Sequence, residues 1–334
     1  MSNTNVGIGM TYASTVTGSS GGTVTLTGTG TNGAYYNFGV WLSGAGSKVT
    51  SAGNVSITGT AGAATNNFSY NDGIMIQNGA EVSTTGSGNL TISGTGATSS
   101  GNYNHGVNIA GASTNVSTVN GTLSITGATG TQGNSSFAVA VGSGSQVSTG
   151  GGDISITGTG HVSGQYGYGF WIGDNYTRVR AGGNGNITIN GTSTDIGSSD
   201  ALGMQIRTAG SITTNNGNIT LIGTSRGTTG NYNVGIGFSS LGSVVAGGVG
   251  SVTLTGTAGT SGIGSVGVSN AVVTTSGGAI NITGATSSTG TSSAGIATNA
   301  ALNSAGGNIT LTADSYLGSG TESINEIGRA SCRE

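Results

Sequence analysis

The sequence predicts an all-β fold: a parallel β-helix, or β-solenoid, with three short strands per coil and about ten coils. Three observations predict it. The first is the glycine-bounded stretch Gly53-Asn54-Val55-Ser56-Ile57-Thr58-Gly59. Val55 and Ile57 share one face and Ser56 and Thr58 the other, which is the period-2 signature of a half-buried strand. The second is recurrence: the leading glycine returns at 22, 53, 88, 121, 152, 185, 217, 250, 278 and 307. The interval runs from 28 residues (250 to 278) to 35 (53 to 88), a period that marks stacked units of one solenoid rather than separate globular domains. The third is composition, with 70 glycines and no proline in 334 residues. The absence of proline and of a Gly-X-Y period excludes collagen, and aliphatic residues in register with the repeat argue against disorder.

Each repeat opens with strand A. Its copies include Gly7-Ile8-Gly9-Met10, Gly39-Val40-Trp41-Leu42, Gly73-Ile74-Met75-Ile76, Gly106-Val107-Asn108-Ile109 and Gly169-Phe170-Trp171-Ile172. At Ala138-Val139-Ala140-Val141 and Ser265-Val266-Gly267-Val268 the leading glycine is replaced. Strand B is marked by one apolar residue, at Val49, Val82, Val116, Val147, Val179, Ile212, Val244 and Val272. Strand C is the alternating stretch itself. A to C takes about 22 residues, placing coils near 6–30, 39–60, 73–95, 106–128, 137–159, 169–192, 203–224, 235–257, 266–285 and 295–314 of a single domain, 1–325. Ten coils at about 4.8 Å make a rod roughly 48 Å long.

Glycine is expected at the corners because several need φ > 0. Asparagine tolerates that region next best, which is the expected reason for Gly-Asn at 53–54, 88–89, 185–186, 217–218 and 307–308. The segments between strand C and the next strand A, such as 61–72, 96–105 and 225–234, should emerge along one edge of the rod, and repeat insertions on one face are often the binding face. Tyr36, Tyr70, Tyr103 and Tyr232 share one register and read as a structural ladder at the loop-to-strand corner.

Composition also excludes. Seven Lys and Arg against ten Asp and Glu leave a net charge of −3, which makes nucleic acid a poor partner because phosphate neutralisation needs clustered cations. No run is long and apolar enough for a membrane helix, and the first ten residues lack the features of a signal peptide. Cys332 is the only cysteine, so no internal disulfide forms. Residues 326–334 break the composition of the rest. They resemble read-through of a sequencing adapter and are read as a non-native tail, the alternative being an ordinary polar terminus. On the first reading the chain continues at either end and missing export signals carry no information.

No catalytic constellation is expected, and neither a metal nor a cofactor. Asp72, Glu81, Asp153, Asp174, Asp195, Asp200, Asp314 and Glu322 are scattered, whereas carbohydrate-cleaving sites need clustered acids or a metal with a base. Asp153 and Asp174 could approach each other, but no basic partner recurs beside them. His105, in the register of Asp72, reads as a solvated loop residue. Strings such as Gly28-Thr29-Gly30 carry no weight outside a βαβ context.

Two surfaces stand out. Trp41 and Trp171 occupy the outward position of strand A, and Tyr166, Tyr168, Asp174, Tyr176, Arg178 and Arg180 surround Trp171. Exposed aromatics beside polar groups suit sugar stacking or protein contact; the bland alternative is a patch with no ligand. The other surface is the outward side of strand C, Thr25/Thr27, Ser56/Thr58 and Thr91/Ser93 through Thr310/Thr312. It resembles the ice-binding face of some antifreeze proteins, although Thr is also simply a good residue for a solvated strand face. Ser56, Ser93, Ser124, Asn190, Asn281 and Ile222 interrupt its regularity.

Gly-Asn-Ile-Thr-Leu-Thr at 307–312, Gly-Asn-Ile-Thr-Ile-Asn at 185–190 and Gly-Asp-Ile-Ser-Ile-Thr at 152–157 resemble the passenger repeats of filamentous-haemagglutinin-type adhesins and autotransporters. The resemblance covers nearly the whole chain to about Asp314. It implies a right-handed β-helix, export across a bacterial outer membrane to the cell surface, and contact with a host or neighbouring-cell glycan or protein. The family's amino-terminal secretion domain, its carboxy-terminal barrel and a cell-binding tripeptide are not seen in this sequence. The expected function is the non-catalytic shaft of a large surface adhesin. The alternatives are a pure spacer or surface-layer element, an ice-binding solenoid, and a polysaccharide-degrading enzyme.

Overall fold

The computed structural model describes residues 5–19, 21–33, 36–63, 70–130, 133–161, 165–194, 199–260, 262–298, 301–318, 323–325 and 330–333. These residues form thirty-three strands and no helix, arranged as three parallel sheets of eleven strands each. A representative coil runs Val40–Ser43 in sheet A, Lys48–Ser51 in sheet B and Val55–Thr60 in sheet C. Each strand pairs with its counterpart one coil on, as Val55↔Leu90 and Ile57↔Ile92 do in sheet C. The parallel β-helix expected from the glycine period is therefore the fold, with about ten turns. The last rung, Tyr316–Gly318, Ser323–Asn325 and Ala330–Arg333, draws in part of 326–334. Residues 326–329 and 334 lie outside the described residues, as do Asp195 and Glu322.

Alternation explains the core. Inward residues from all three sheets, among them Ile74, Ile76, Val82, Leu90 and Ile92, form one continuous buried column. Burying each such side chain contributes on the order of 1.5–3 kcal/mol. No coil could bury these faces alone, so stability comes from stacking neighbours.

Two register expectations are corrected. Val268, not Val266, pairs with Ile236, and Gly267 is the true leading glycine of that strand A. A two-residue slip leaves every side chain on its original face, so alternation cannot tell Val266 from Val268. Val273 rather than Val272 pairs with Val244 and fills the core of sheet B. Two adjacent valines give alternation nothing to choose between. The shortened coil (250 to 278) is where both misreadings fall.

The role expected for the repeat glycines is also corrected. Left-handed glycines do occur, for example Gly44, Gly79 and Gly111 after strand A. The glycines that lead strand C are not left-handed. A Cβ on Gly88 would run into the carbonyl oxygen of Gly53 one coil earlier, and one on Gly121 into that of Gly88. These glycines exist so that successive coils can approach at that corner. The carbonyls of Gly88, Gly121 and Gly217 accept bonds from the buried hydroxyls of Thr84, Thr118 and Thr214 at 2.6–2.9 Å.

The neighbouring asparagines are not left-handed either. The Oδ1 of Asn54 accepts the backbone N–H of Asn89 at 2.8 Å, and that of Asn89 accepts the N–H of Thr122 at 2.9 Å. Farther along, Asn186 and Asn218 do the same for Asn218 and Ser251. The Gly-Asn pair is thus a close-approach residue followed by an acceptor for the next coil.

Candidate functional site

Most of the described aromatic side chains, with Asp72 and His105, gather at the corner where sheet C hands the chain to sheet A. Three adjacent registers build this corner. The first is left-handed in coil after coil: Tyr36, Tyr70, Tyr103, Ser135, Tyr166, Asp200, Tyr232 and Ser292 have φ between 47° and 68°. Left-handed backbone costs a non-glycine residue roughly 1–2 kcal/mol. Stacking offsets part of it: the rings of Tyr36 and Tyr70 lie 6.1 Å apart and those of Tyr70 and Tyr103 5.0 Å, where such pairs are worth about 0.5–1.5 kcal/mol. The tyrosine ladder expected from the sequence is present. Tyr166, which the sequence grouped with the surface patch, belongs to its register.

The second register is a buried polar ladder that the hydrophobic pattern did not reveal. The Nδ2 of Asn5 donates to Oδ1 of Asn37, Asn37 to Asn71 and Asn71 to Asn104, at 2.9–3.0 Å. Asn37, Asn71, Asn104 and Asn233 are fully buried. Their sequence signal is the recurring Tyr-Asn pair at 36–37, 70–71, 103–104 and 232–233.

The third register runs Phe38, Asp72, His105, Phe137, Tyr168, Leu202, Val234, Val266. Here the expectation of a solvated His105 is overturned: its side chain is buried, and so is Asp72. The position just before strand A is interior in coil after coil, as Phe38, Tyr168, Leu202 and Val234 also are. Asp72 accepts the backbone N–H of His105 at 2.8 Å and the Asn108 amide at 3.2 Å. Burial, with no cation to offset it, pushes Asp72 up to about 7. His105 is pushed down to about 4, also by burial. The neutral imidazole accepts the Phe137 N–H on Nδ1 at 2.9 Å, so its proton sits on Nε2.

The residues singled out around Trp171 separate. Tyr168 is only 6% exposed, and burial raises its phenol well above the ordinary range. Its ring stacks on Phe137 at 4.9 Å, and Phe137 also stacks on Trp171 at 5.5 Å. Trp171 points outward as expected but is half-buried, with one face taken by Phe137. Trp41 lies four rungs away (Trp41, Met75, Asn108, Ala140, Trp171), about 19 Å at the inter-strand spacing. The two tryptophans cannot share a small ligand. Trp41 leans on Phe38 at 5.7 Å.

Asp174 and Tyr176 sit at the next corner, between sheets A and B, both left-handed. The Asp174 carboxylate accepts the Ser143 backbone N–H at 3.1 Å. Tyr176 is 77% exposed and makes no ring contact among those described. Arg178 and Arg180 point outward from sheet B, the latter donating to Asn215 at 3.1 Å. Asp153 lies at the third corner, accepting from Asn186, so it and Asp174 do not form a pair. Among the described residues no three His, Cys, Asp or Glu side chains are grouped to hold a metal. The ion pair Lys48–Glu81, at 3.0 Å, holds the Glu81 carboxyl below its usual range. Both partners are partly solvated, and such pairs contribute at most about 1 kcal/mol.

No protein-family model, no curated protein and no solved structure matches this chain.

Proposed function

We propose that the chain is a non-catalytic repeat shaft of a large, surface-exposed bacterial adhesin, carrying recognition elements on its corners along an otherwise uniform rod. The observation that carries the reading is the division of labour within every coil. Three sheets stack without interruption, while the long connections all fall between sheet C and sheet A. The acids support the non-catalytic part, because Asp72 is walled in and Asp153 and Asp174 occupy different corners. Of the residues gathered around Trp171, Tyr176 and Arg178 are both exposed, on adjoining surfaces of one coil, and so are open to a glycan or protein partner.

One observation favours the alternative of a spacer with no ligand. Most aromatic faces at the corner are already stacked on one another, which leaves few free for sugar. Binding of the purified protein to a glycan array and to cultured epithelial cells separates the two. Adhesion predicts saturable binding that Tyr176→Ala and Arg178→Ala weaken while the circular dichroism spectrum is unchanged. Absence of binding by folded protein supports the spacer.

A further inference from the structure

Sheet C presents an array wider than the Thr-x-Thr pattern. Each strand continues through its glycine to a third outward position, where Thr29 pairs with Thr60, Thr60 with Thr95, and Thr159 with Thr192. Pairing runs residue for residue from Val24–Thr29 to Ile309–Ala313 with no bulge. Two columns therefore cross ten strands and the third crosses nine, the next residue in its line being Asp314, just past the tenth strand. Within the strands every outward residue is Thr, Ser, Asn or Ala except Ile222, seventh of ten in the middle column. Within these ten strands no outward position is charged or aromatic (Asp314 follows the tenth, and Arg333 of the eleventh pairs with Thr312), whereas the outward face of sheet B carries Lys48, Glu81, Arg178 and Arg180. Charge is sparse throughout the chain, 5% of residues, so what sets this face apart is the ordering of its hydroxyls in continuous columns rather than the lack of charge alone.

Its chemistry narrows the partner. Small-molecule sites are concave pockets, whereas these outward residues stand on one continuous parallel sheet. Protein interfaces are enriched in aromatics, Met and Arg, and none is on these ten strands. What the face offers is an in-register, neutral lattice of hydroxyls and methyls. It repeats at about 6.6–6.8 Å along the strands and about 4.8 Å across them. Threonine is stiff at χ1, so the hydroxyls are set in place before any partner arrives, which lowers the entropy cost of binding. Only a partner with its own two-dimensional repeat and uncharged hydrogen-bonding groups can use such a lattice throughout. We propose that sheet C binds the surface of ice. An ammonium or carboxylate would impose its own hydration shell on that contact, which explains their exclusion. The inference stands independently of the shaft reading.

The test is ice recrystallisation and crystal shaping with the purified full chain. Wild-type protein is expected to arrest recrystallisation and facet growing crystals. Thr126→Lys combined with Thr157→Lys, both exposed in the middle column, should abolish both effects. Ser148→Lys, on the outward side of sheet B, should leave them intact. Circular dichroism establishes that all three proteins are folded. Folded wild-type protein without effect on ice overturns the proposal, as does full activity in the double-lysine variant. A wild-type dimer in sedimentation equilibrium that the two lysines dissociate, with ice unaffected, overturns it in favour of face-to-face self-association.

Discussion

The register just before strand A is filled in two ways along the rod. In the first half it holds Phe38, Asp72, His105 and Phe137, flanked by the Asn37–Asn71–Asn104 ladder. In the second half it holds Tyr168, Leu202, Val234 and Val266, a small apolar cluster separate from the main core. Backbone path is alike and every one of these positions except the half-buried Phe137 is covered, yet only the first half holds a carboxyl and an imidazole. Position in a coil dictates that a side chain is covered. It does not dictate that it is apolar, provided neighbouring coils supply the hydrogen bonds.

The sharpest way to break this comparison is to move the polar solution into the apolar half. Val234→Asp would bury a carboxylate without the partners that Asp72 has, and should cost about 3–5 kcal/mol. Hydrogen exchange of the surrounding strands reads the loss locally, which suits a solenoid whose coils need not unfold together. Leu202→Ala leaves the chemistry alone and opens a void, for an expected cost of about 2–5 kcal/mol in urea denaturation. On the polar side, Asn71→Ala strands the Asn37 amide, whose backbone N–H and Nδ2 both bond to Asn71. A loss of about 1–3 kcal/mol is expected by the same measurement.

The pH dependence should differ between the halves because the two fully covered titrating groups, Asp72 and His105, lie in the first, while the second holds the partly covered Asp200, raised by burial. Burial raises Asp72 from 3.8 to about 7. Between those values the unfolded chain has released a proton the folded chain keeps, so this group makes stability fall as pH rises. Burial lowers His105 from 6.5 to about 4. Across that interval the unfolded chain binds a proton the folded chain refuses, so this group makes stability rise with pH. The two slopes oppose each other from about pH 4 to 6.5. In thermal melts, Asp72→Asn should uncover the rising slope and His105→Gln the falling one, while Leu202→Ala should leave the profile unchanged. The smallest effect is expected from Tyr70→Gly, which removes roughly 1–2 kcal/mol of left-handed strain together with stacking of similar size. Its melting temperature should lie close to that of the wild type.

The fold was legible because alternation and period are properties of the backbone that every coil repeats. Val55, Ile57 and their counterparts announce the sheets without ambiguity. What was not legible depends on contacts between coils. Gly88 looks like a turn residue until the Gly53 carbonyl is placed against it. Asn89 looks like a turn residue until the Thr122 N–H is seen to need an acceptor. His105 looks like a loop residue because a polar side chain between glycine-rich stretches ordinarily is one. The tryptophans were assigned to the correct face, yet Phe137, which covers Trp171, comes from the preceding coil, 34 residues earlier, where alternation within one strand gives no sign of it.

The asparagines at the B-to-C corner have a direction. In each link the acceptor belongs to the earlier coil and the donor to the later one, as Asn54 to Asn89, Asn89 to Thr122 and Asn186 to Asn218 show. A coil that has just closed therefore holds out an oxygen to a turn that has not yet formed. Synthesis delivers a chain amino terminus first, and domains generally begin to fold in that order. The ladder makes such delivery productive: each corner so linked meets a docking point on arrival, and the rod can grow as it is made.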